Sequence, residues 1–129
     1  MPASSSLTVL VVDDQQTMRS LVRNGLEQLG FKDFQEAPDG EAGLRSVLTN
    51  PTNLIISDYN MPKLDGLGLL RAIRGHEPIR TTPFIMLTGR ADKELVQRAV
   101  QFGVNNYLVK PFTVATLKGK IEAVFGALT

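Results

Sequence analysis

An α/β fold built on one doubly wound parallel sheet with a (βα)₅ pattern is what this sequence predicts, and three observations predict it. Four short apolar runs stand apart: Val9-Leu10-Val11-Val12, Leu54-Ile55-Ile56, Phe84-Ile85-Met86-Leu87 and Tyr107-Leu108-Val109. They are rich in β-branched or aromatic residues and too short for helices, as suits strands buried on both faces of a sheet. Stretches with apolar residues at helical spacing lie between them. Cap and turn residues fall at the junctions. Strands that alternate with helices in this way join by right-handed crossovers, which place helices on both faces of one sheet.

The elements follow in order. The Val9 run is a strand, and Met18, Leu21, Val22, Gly25, Leu26 and Leu29 keep the i, i+3, i+4, i+7 series of a helix after it. Gly30 is placed as its left-handed C′ residue. Phe34-Gln35-Glu36-Ala37 alternates in polarity and reads as an edge strand. Asp39 is the expected N-cap of a shorter helix over 41–48, which Asn50-Pro51 stops. The Leu54 run is the central strand, followed by a longer connection and a helix over 67–73 with Gly75 placed as its left-handed C′ residue. The Phe84 run precedes a helix carrying Leu95, Val96, Ala99 and Val100, with Asp92 as N-cap and Gly103 at C′. The Tyr107 run precedes a last helix, capped by Thr113 and marked by Val114, Leu117, Ile121, Val124, Phe125 and Leu128. Residues 1–6 read as a loose tail and 7–129 as one domain, with no repeat or linker.

Composition narrows the function. A chain of 129 residues, 43% hydrophobic and 21% charged, buries one core and is not disordered. It has no Cys, which removes disulfides, iron–sulfur clusters and Cys-based zinc sites. The single His76 removes any site needing two imidazoles. A net charge of +1 lacks the basic footprint that nucleic acid requires. No apolar run approaches a membrane span, and Met-Pro-Ala-Ser-Ser-Ser does not resemble a signal peptide, so a soluble cytoplasmic protein is expected.

In open α/β sheets ligands bind beyond the carboxyl ends of the strands. Asp13-Asp14 follow the first run, Asp58-Tyr59-Asn60 follow Ser57 on the central one, Thr88-Gly89 follow the third and Lys110-Pro111 the last. Each has an ordinary reading. Asp13 or Asp14 alone reads more readily as a helix cap, Asp58 as a turn opener, Thr88-Gly89 as a strand exit, Lys110 as a solvated charge and Tyr107 as a half-buried edge aromatic. Four such accidents at one sheet edge are improbable together, and the functional reading follows from their conjunction. Three close carboxylates repel one another and call for a hard divalent cation such as Mg²⁺. An ammonium suits a phosphate oxygen, a hydroxyl can donate to another, and an Asp beside a cation can accept a phosphoryl group. Neither Gly-x-x-x-x-Gly-Lys nor Gly-x-Gly-x-x-Gly occurs, so no nucleotide-binding element accompanies the site.

Val12-Asp13-Asp14, Ser57-Asp58-Tyr59-Asn60-Met61-Pro62, Asp65-Gly66, Leu87-Thr88-Gly89 and Lys110-Pro111-Phe112 together resemble the receiver domain of two-component response regulators, over 7–128. Met18-Arg19-Ser20-Leu21-Val22-Arg23, Ile56-Ser57-Asp58 and 110–117 (Lys-Pro-Phe-Thr-Val-Ala-Thr-Leu) resemble most the stand-alone chemotaxis regulators of the CheY type. The resemblance implies a flavodoxin-like, CheY-like strand order of 2-1-3-4-5. It implies that 7–129 is a receiver domain in which Asp58 takes a phosphoryl group from a histidine kinase similar to CheA. Asp14, Asp58 and the Asn60 carbonyl would hold Mg²⁺, with Asp13 acting through water. Lys110 and Thr88 would grip the phosphate, Tyr107 would follow Thr88 inward, and Lys110-Pro111 would be cis. The implied output is protein binding, to a flagellar motor switch protein or another phosphorylation-dependent target, around Lys93, Gln97, Asn106 and Lys118. A phosphatase is a further implied partner; nucleic acid and membrane are not, and a monomer is expected. Gly89 and Arg90 depart from the enteric pattern of a small Ala or Ser followed by an acid, and a cation at 90 bears on the lifetime of the acyl phosphate.

Other functions compete with this switch, which is not an enzyme in the ordinary sense. A phosphorelay shuttle or phosphate sink uses the same site. A small phosphohydrolase with an Asp nucleophile usually carries a second acid two residues on, where this chain has Asn60. An FMN carrier of the same fold class needs a hydroxyl-rich loop after the first strand, where Asp13 and Asp14 would repel phosphate.

Overall fold

The computed structural model describes residues 3–89 and 93–129. Five strands, β1 (Thr8–Val12), β2 (Asp33–Ala37), β3 (Leu54–Asp58), β4 (Phe84–Thr88) and β5 (Asn106–Val109), form one parallel sheet in the order β2-β1-β3-β4-β5. Helices α1 (Gln16–Gln28), α2 (Gly40–Thr49), α3 (Gly66–Arg74), α4 (Lys93–Gln101) and α5 (Val114–Phe125) alternate with them. The predicted fold class and strand order are those observed.

Successive side chains of a strand point to opposite faces, so each apolar run feeds two cores. Val9, Val11, Ile56, Ile85 and Leu87 pack with Val22, Leu26, Leu117 and Ile121 of α1 and α5. Leu10, Val12, Ile55, Phe84 and Met86 pack with Val47, Leu70 and Ile73 of α2 and α3, and with Ala99 of α4. Full burial of each large aliphatic side chain contributes about 1.5–3 kcal/mol, which makes the three inner strands the rigid frame of the site. The fourth apolar run behaves differently: β5 is an edge strand and only its Leu108 is fully buried.

Several local expectations hold. Asp39 accepts from the Ala42 N–H and Thr113 from the Thr116 N–H, as N-caps do, while Gly30 and Gly103 take φ of +94° and +88° past α1 and α4. Asn50 ends α2 in extended backbone before Pro51. The Lys110-Pro111 peptide is cis. Asp92 lies outside the described residues.

Others are corrected. Gly75 keeps a right-handed φ of −86°, because the chain continues through the 3₁₀ turn Glu77–Ile79 instead of reversing. The connection 75–83 is therefore longer than the one after β3. The capping reading of the acid pair also fails: α1 begins after Gln15, whose side chain makes no cap bond. The tail is not loose over its described part. Ser4–Ser6 form a 3₁₀ turn in which Ser4 is buried and its N–H donates to the Thr129 carbonyl.

Candidate functional site

Strand register assembles the site. Val12 pairs with Ser57, Asp58 with Leu87 and Thr88 with Val109, so Asp13 and Asp58 share a rung, Thr88 lies one rung beyond them and Lys110 two. The main chain carries the ladder one step further. The Asp13 N–H donates to the Ala37 carbonyl, the Tyr59 N–H to Leu87 and the Lys110 N–H to Thr88. Side chains that leave the sheet here are held by its hydrogen bonds rather than by loop conformation.

One carboxylate oxygen from each of Asp13, Asp14 and Asp58 lies within 4.8 Å of the others. Asp13 and Asp58 are buried, while Asp14 faces solvent. Lys110 reaches in from the far side of the sheet, its Nζ 2.9 Å from Asp58 Oδ1 and 3.6 Å from Asp13 Oδ2. Asp13 Oδ1 accepts the Gln15 N–H at 2.9 Å. Asp13 Oδ2 is buried and, among the described residues, has no hydrogen-bond donor. Burial pushes the Asp13 carboxyl up from its ordinary pKa, with Asp58 and Asp14 adding to the effect and the Gln15 N–H and Lys110 opposing it.

One ammonium thus contacts two of the three carboxylates, and among the described residues one of their oxygens has no donor. Oxygen-only ligands, excess negative charge and an unsatisfied buried acceptor fit a hard divalent cation, whose bound water would supply the missing donor. Asn60, exposed two residues after Asp58, opens the loop beside this cluster.

Residues not assigned a role from the sequence support the cluster. Ser57 Oγ donates to the Asp58 carbonyl at 3.0 Å. Arg19 donates to the Asp13 carbonyl through Nη1 and to Glu36 through Nε at 3.2 Å, tying α1 and β2 to the end of β1. Asp65 caps α3 through the Gly68 N–H at 2.8 Å. Gly66 lies so close to the sheet that a Cβ there would fall 2.4 Å from the Asp58 carbonyl oxygen and 2.7 Å from Met86 Sδ. Asp-Gly before an apolar helical pattern is the signal from which that cap could have been read. The Arg19 brace joins residues distant in sequence and has no local signature.

Thr88 is buried at the end of β4. Tyr107 is half-buried two residues into β5, packed on the core shared with α2 and α3, and Lys120 Nζ lies 4.8 Å from its ring centroid. Lys93 and Gln97 are exposed on α4 and Lys118 on α5. Asn106 is less free than a surface residue, since its Nδ2 donates to the Lys120 carbonyl and its Oδ1 accepts the Tyr107 N–H. Among the described residues a Cβ on Gly89 would meet nothing within 4 Å, and Arg90 lies outside them. Among the described residues, no helix is long and apolar enough to cross a membrane.

Residues 9–122 match the model of the response regulator receiver domain family. The chain is 50% identical over 128 residues to a probable chemotaxis protein CheY of Rhizobium etli, covering 99% of each sequence. It is 42% identical over 125 residues to chemotaxis protein CheY-3 of Vibrio cholerae, covering 97% of this chain and 96% of that one. Among solved structures, chemotaxis protein CheY4 of Vibrio cholerae superposes with a TM-score of 0.85 at 32% identity, covering 96% of this chain and 99% of that one. With sheet order, acid cluster and these similarities in agreement, the chain belongs to the response regulator receiver domain family.

Proposed function

We propose that this receiver domain, residues 7–129, is a cytoplasmic, monomeric phosphorylation switch of chemotaxis that is phosphorylated on Asp58. The observation that carries the reading is the placement of Lys110 Nζ 2.9 Å from Asp58 Oδ1, with the carboxylates of Asp13 and Asp14 gathered beside it. The donor is a histidine kinase resembling CheA. An Asp58 carboxylate oxygen attacks the phosphorus of the phosphohistidine, the P–N bond breaks, and the imidazole leaves with its electron pair and takes up a proton. The product is an acyl phosphate on Asp58.

Asp14, Asp58 and the Asn60 carbonyl are the groups to hold Mg²⁺, with Asp13 acting through water. Bound there, the cation supplies charge neutralisation for the phosphoryl oxygens. Lys110 meets another of those oxygens as a point charge, which releases it from its ion pair with the unmodified carboxylate. Thr88 donates its hydroxyl to a third by moving toward Asp58. That movement makes room for Tyr107 to turn inward, and phosphorylation biases an equilibrium that exists without it.

The changed surface lies around Lys93, Gln97, Asn106 and Lys118, where a flagellar motor switch protein or similar target binds. The chemotaxis names of the relatives support this assignment. A pull-down with and without beryllofluoride and Mg²⁺ tests it. A motor switch component retained only with beryllofluoride is expected. Equal retention in both conditions would contradict a phosphorylation-dependent output, and no retention would favour a phosphate sink.

A further inference from the structure

The loop 59–65, between β3 and α3, is anchored at both ends. On the sheet side, the Tyr59 N–H donates to the Leu87 carbonyl at 3.0 Å, and the Tyr59 carbonyl accepts the Gly66 N–H at 2.8 Å. On the far side the loop meets the start of α2. The Gly40 N–H donates to the Leu64 carbonyl at 3.1 Å, and Lys63, in the left-handed region at φ +68°, sends its Nζ to within 3.8 Å of Asp39 Oδ2. Asn60 lies between these anchors.

Gly40 leaves no room in this contact. A Cβ there would fall 2.1 Å from the Leu64 carbonyl oxygen and 2.8 Å from its carbonyl carbon, both backbone atoms that cannot swing aside. Helix α2 cannot easily retreat to make space. It is seated on β1 at Gly43, where a Cβ would already stand 3.1 Å from Val12 Cγ2, and its first turn is fixed by the Asp39 cap. A side chain at position 40 must therefore displace the loop.

We propose that Gly40 is a positioning residue for the cation site: its bare Cα and N–H hold the far end of loop 59–65 and thereby set the place of the Asn60 carbonyl. The inference rests on the reading above that this carbonyl is a cation ligand. It gives the β2–α2 corner, which contributes no group to the acid cluster, control over the affinity of that cluster.

Calorimetric titration with Mg²⁺ alone, well below the melting temperature, tests it on wild type, Gly40→Ala and Gly119→Ala. The last is a control, because a Cβ at Gly119 meets nothing within 4 Å. Gly40→Ala is expected to bind Mg²⁺ about tenfold more weakly, the scale of losing support behind a metal ligand, with Gly119→Ala unchanged. A folded Gly40→Ala with wild-type affinity overturns the proposal, even if its melting temperature is lower. A wild type that binds no Mg²⁺ overturns the site reading itself, and this inference with it. If Gly40→Ala does not fold, hydrogen exchange of the Gly40 amide in wild type decides. Exchange that slows as Mg²⁺ occupancy rises supports the coupling, and exchange indifferent to saturating Mg²⁺ overturns it.

Discussion

Lys110 stands between Asp58 and Asp13, its Nζ 2.9 Å from an oxygen of the first and 3.6 Å from an oxygen of the second. A single ammonium thus offsets two buried carboxylates, and breaking such a group by removing one partner leaves uncompensated charge. Lys110→Ala is expected to lower the stability of the metal-free protein by about 3 kcal/mol, the lower end for a broken buried pair. Added Mg²⁺ should recover more stability in this variant than in wild type, because the cation then takes over the charge that Lys110 supplied. Denaturant unfolding with and without Mg²⁺ measures both. Equal Mg²⁺ effects on the two proteins would contradict the shared-charge account.

Removing a carboxylate has the opposite sign. The Asp13 pKa is raised above its ordinary 3.8, with burial as the largest cause. The folded state then holds the proton more tightly than the unfolded chain, so ionising Asp13 weakens folding as pH rises through the interval above 3.8. Asp13→Asn keeps the acceptor for the Gln15 N–H and removes the charge. It is expected to be more stable than wild type without metal at neutral pH, with an advantage that shrinks as pH falls toward the ordinary value of 3.8 and is gone below it. Its Mg²⁺ affinity should fall. Melting curves across pH check the sign, and an advantage that grows on acidification would refute it.

Arg74 predicts a large effect far from the site. Its guanidinium donates to the carbonyls of Gly103, Arg80 and Thr82 and to Asn105 Oδ1, which also accepts the Phe84 N–H. The end of α3 is thereby joined to the starts of β4 and β5. Arg74→Ala should cost about 2 kcal/mol, as expected when hydrogen bonds to a charged group are lost. Arg74→Lys should recover less than half, since an ammonium cannot span the same fork of acceptors. Chemical denaturation of the three proteins gives the comparison.

These interactions mark where sequence reading stops. The runs at Val9, Leu54 and Phe84 were legible as inner strands because a segment buried on both faces must be continuously apolar. Asp39 and Thr113 were legible as caps because capping is local. The meeting of Asp13, Asp14, Asp58 and Lys110 was legible because parallel strands bring their carboxyl ends to one edge. Gly75 misled, since its left-handed turn was inferred from position and the 3₁₀ turn after it has no strong signature. Arg74, the Arg19–Glu36 pair and the Gly40–Leu64 contact join segments distant in the chain, and a single sequence carries no mark of such pairings.

Transmission from the site to the partner face predicts a specific loss. If Thr88 must move for Tyr107 to turn inward, Thr88→Ala should weaken the effect of beryllofluoride on partner affinity while leaving Mg²⁺ binding near wild type. Lys93→Glu should weaken partner binding with the acceptor site intact. Affinities measured by fluorescence anisotropy in the two states separate these effects. Full coupling in Thr88→Ala together with unchanged binding in Lys93→Glu would favour direct contact of the partner with the phosphate.

The central claim is that Asp58 is the phosphoryl acceptor, and intact-protein mass spectrometry after incubation with acetyl phosphate and Mg²⁺ tests it most directly. Wild type is expected to gain one phosphoryl group that is lost in base, as an acyl phosphate is, and Asp58→Asn is expected to gain none. Undiminished phosphorylation of Asp58→Asn would contradict the account.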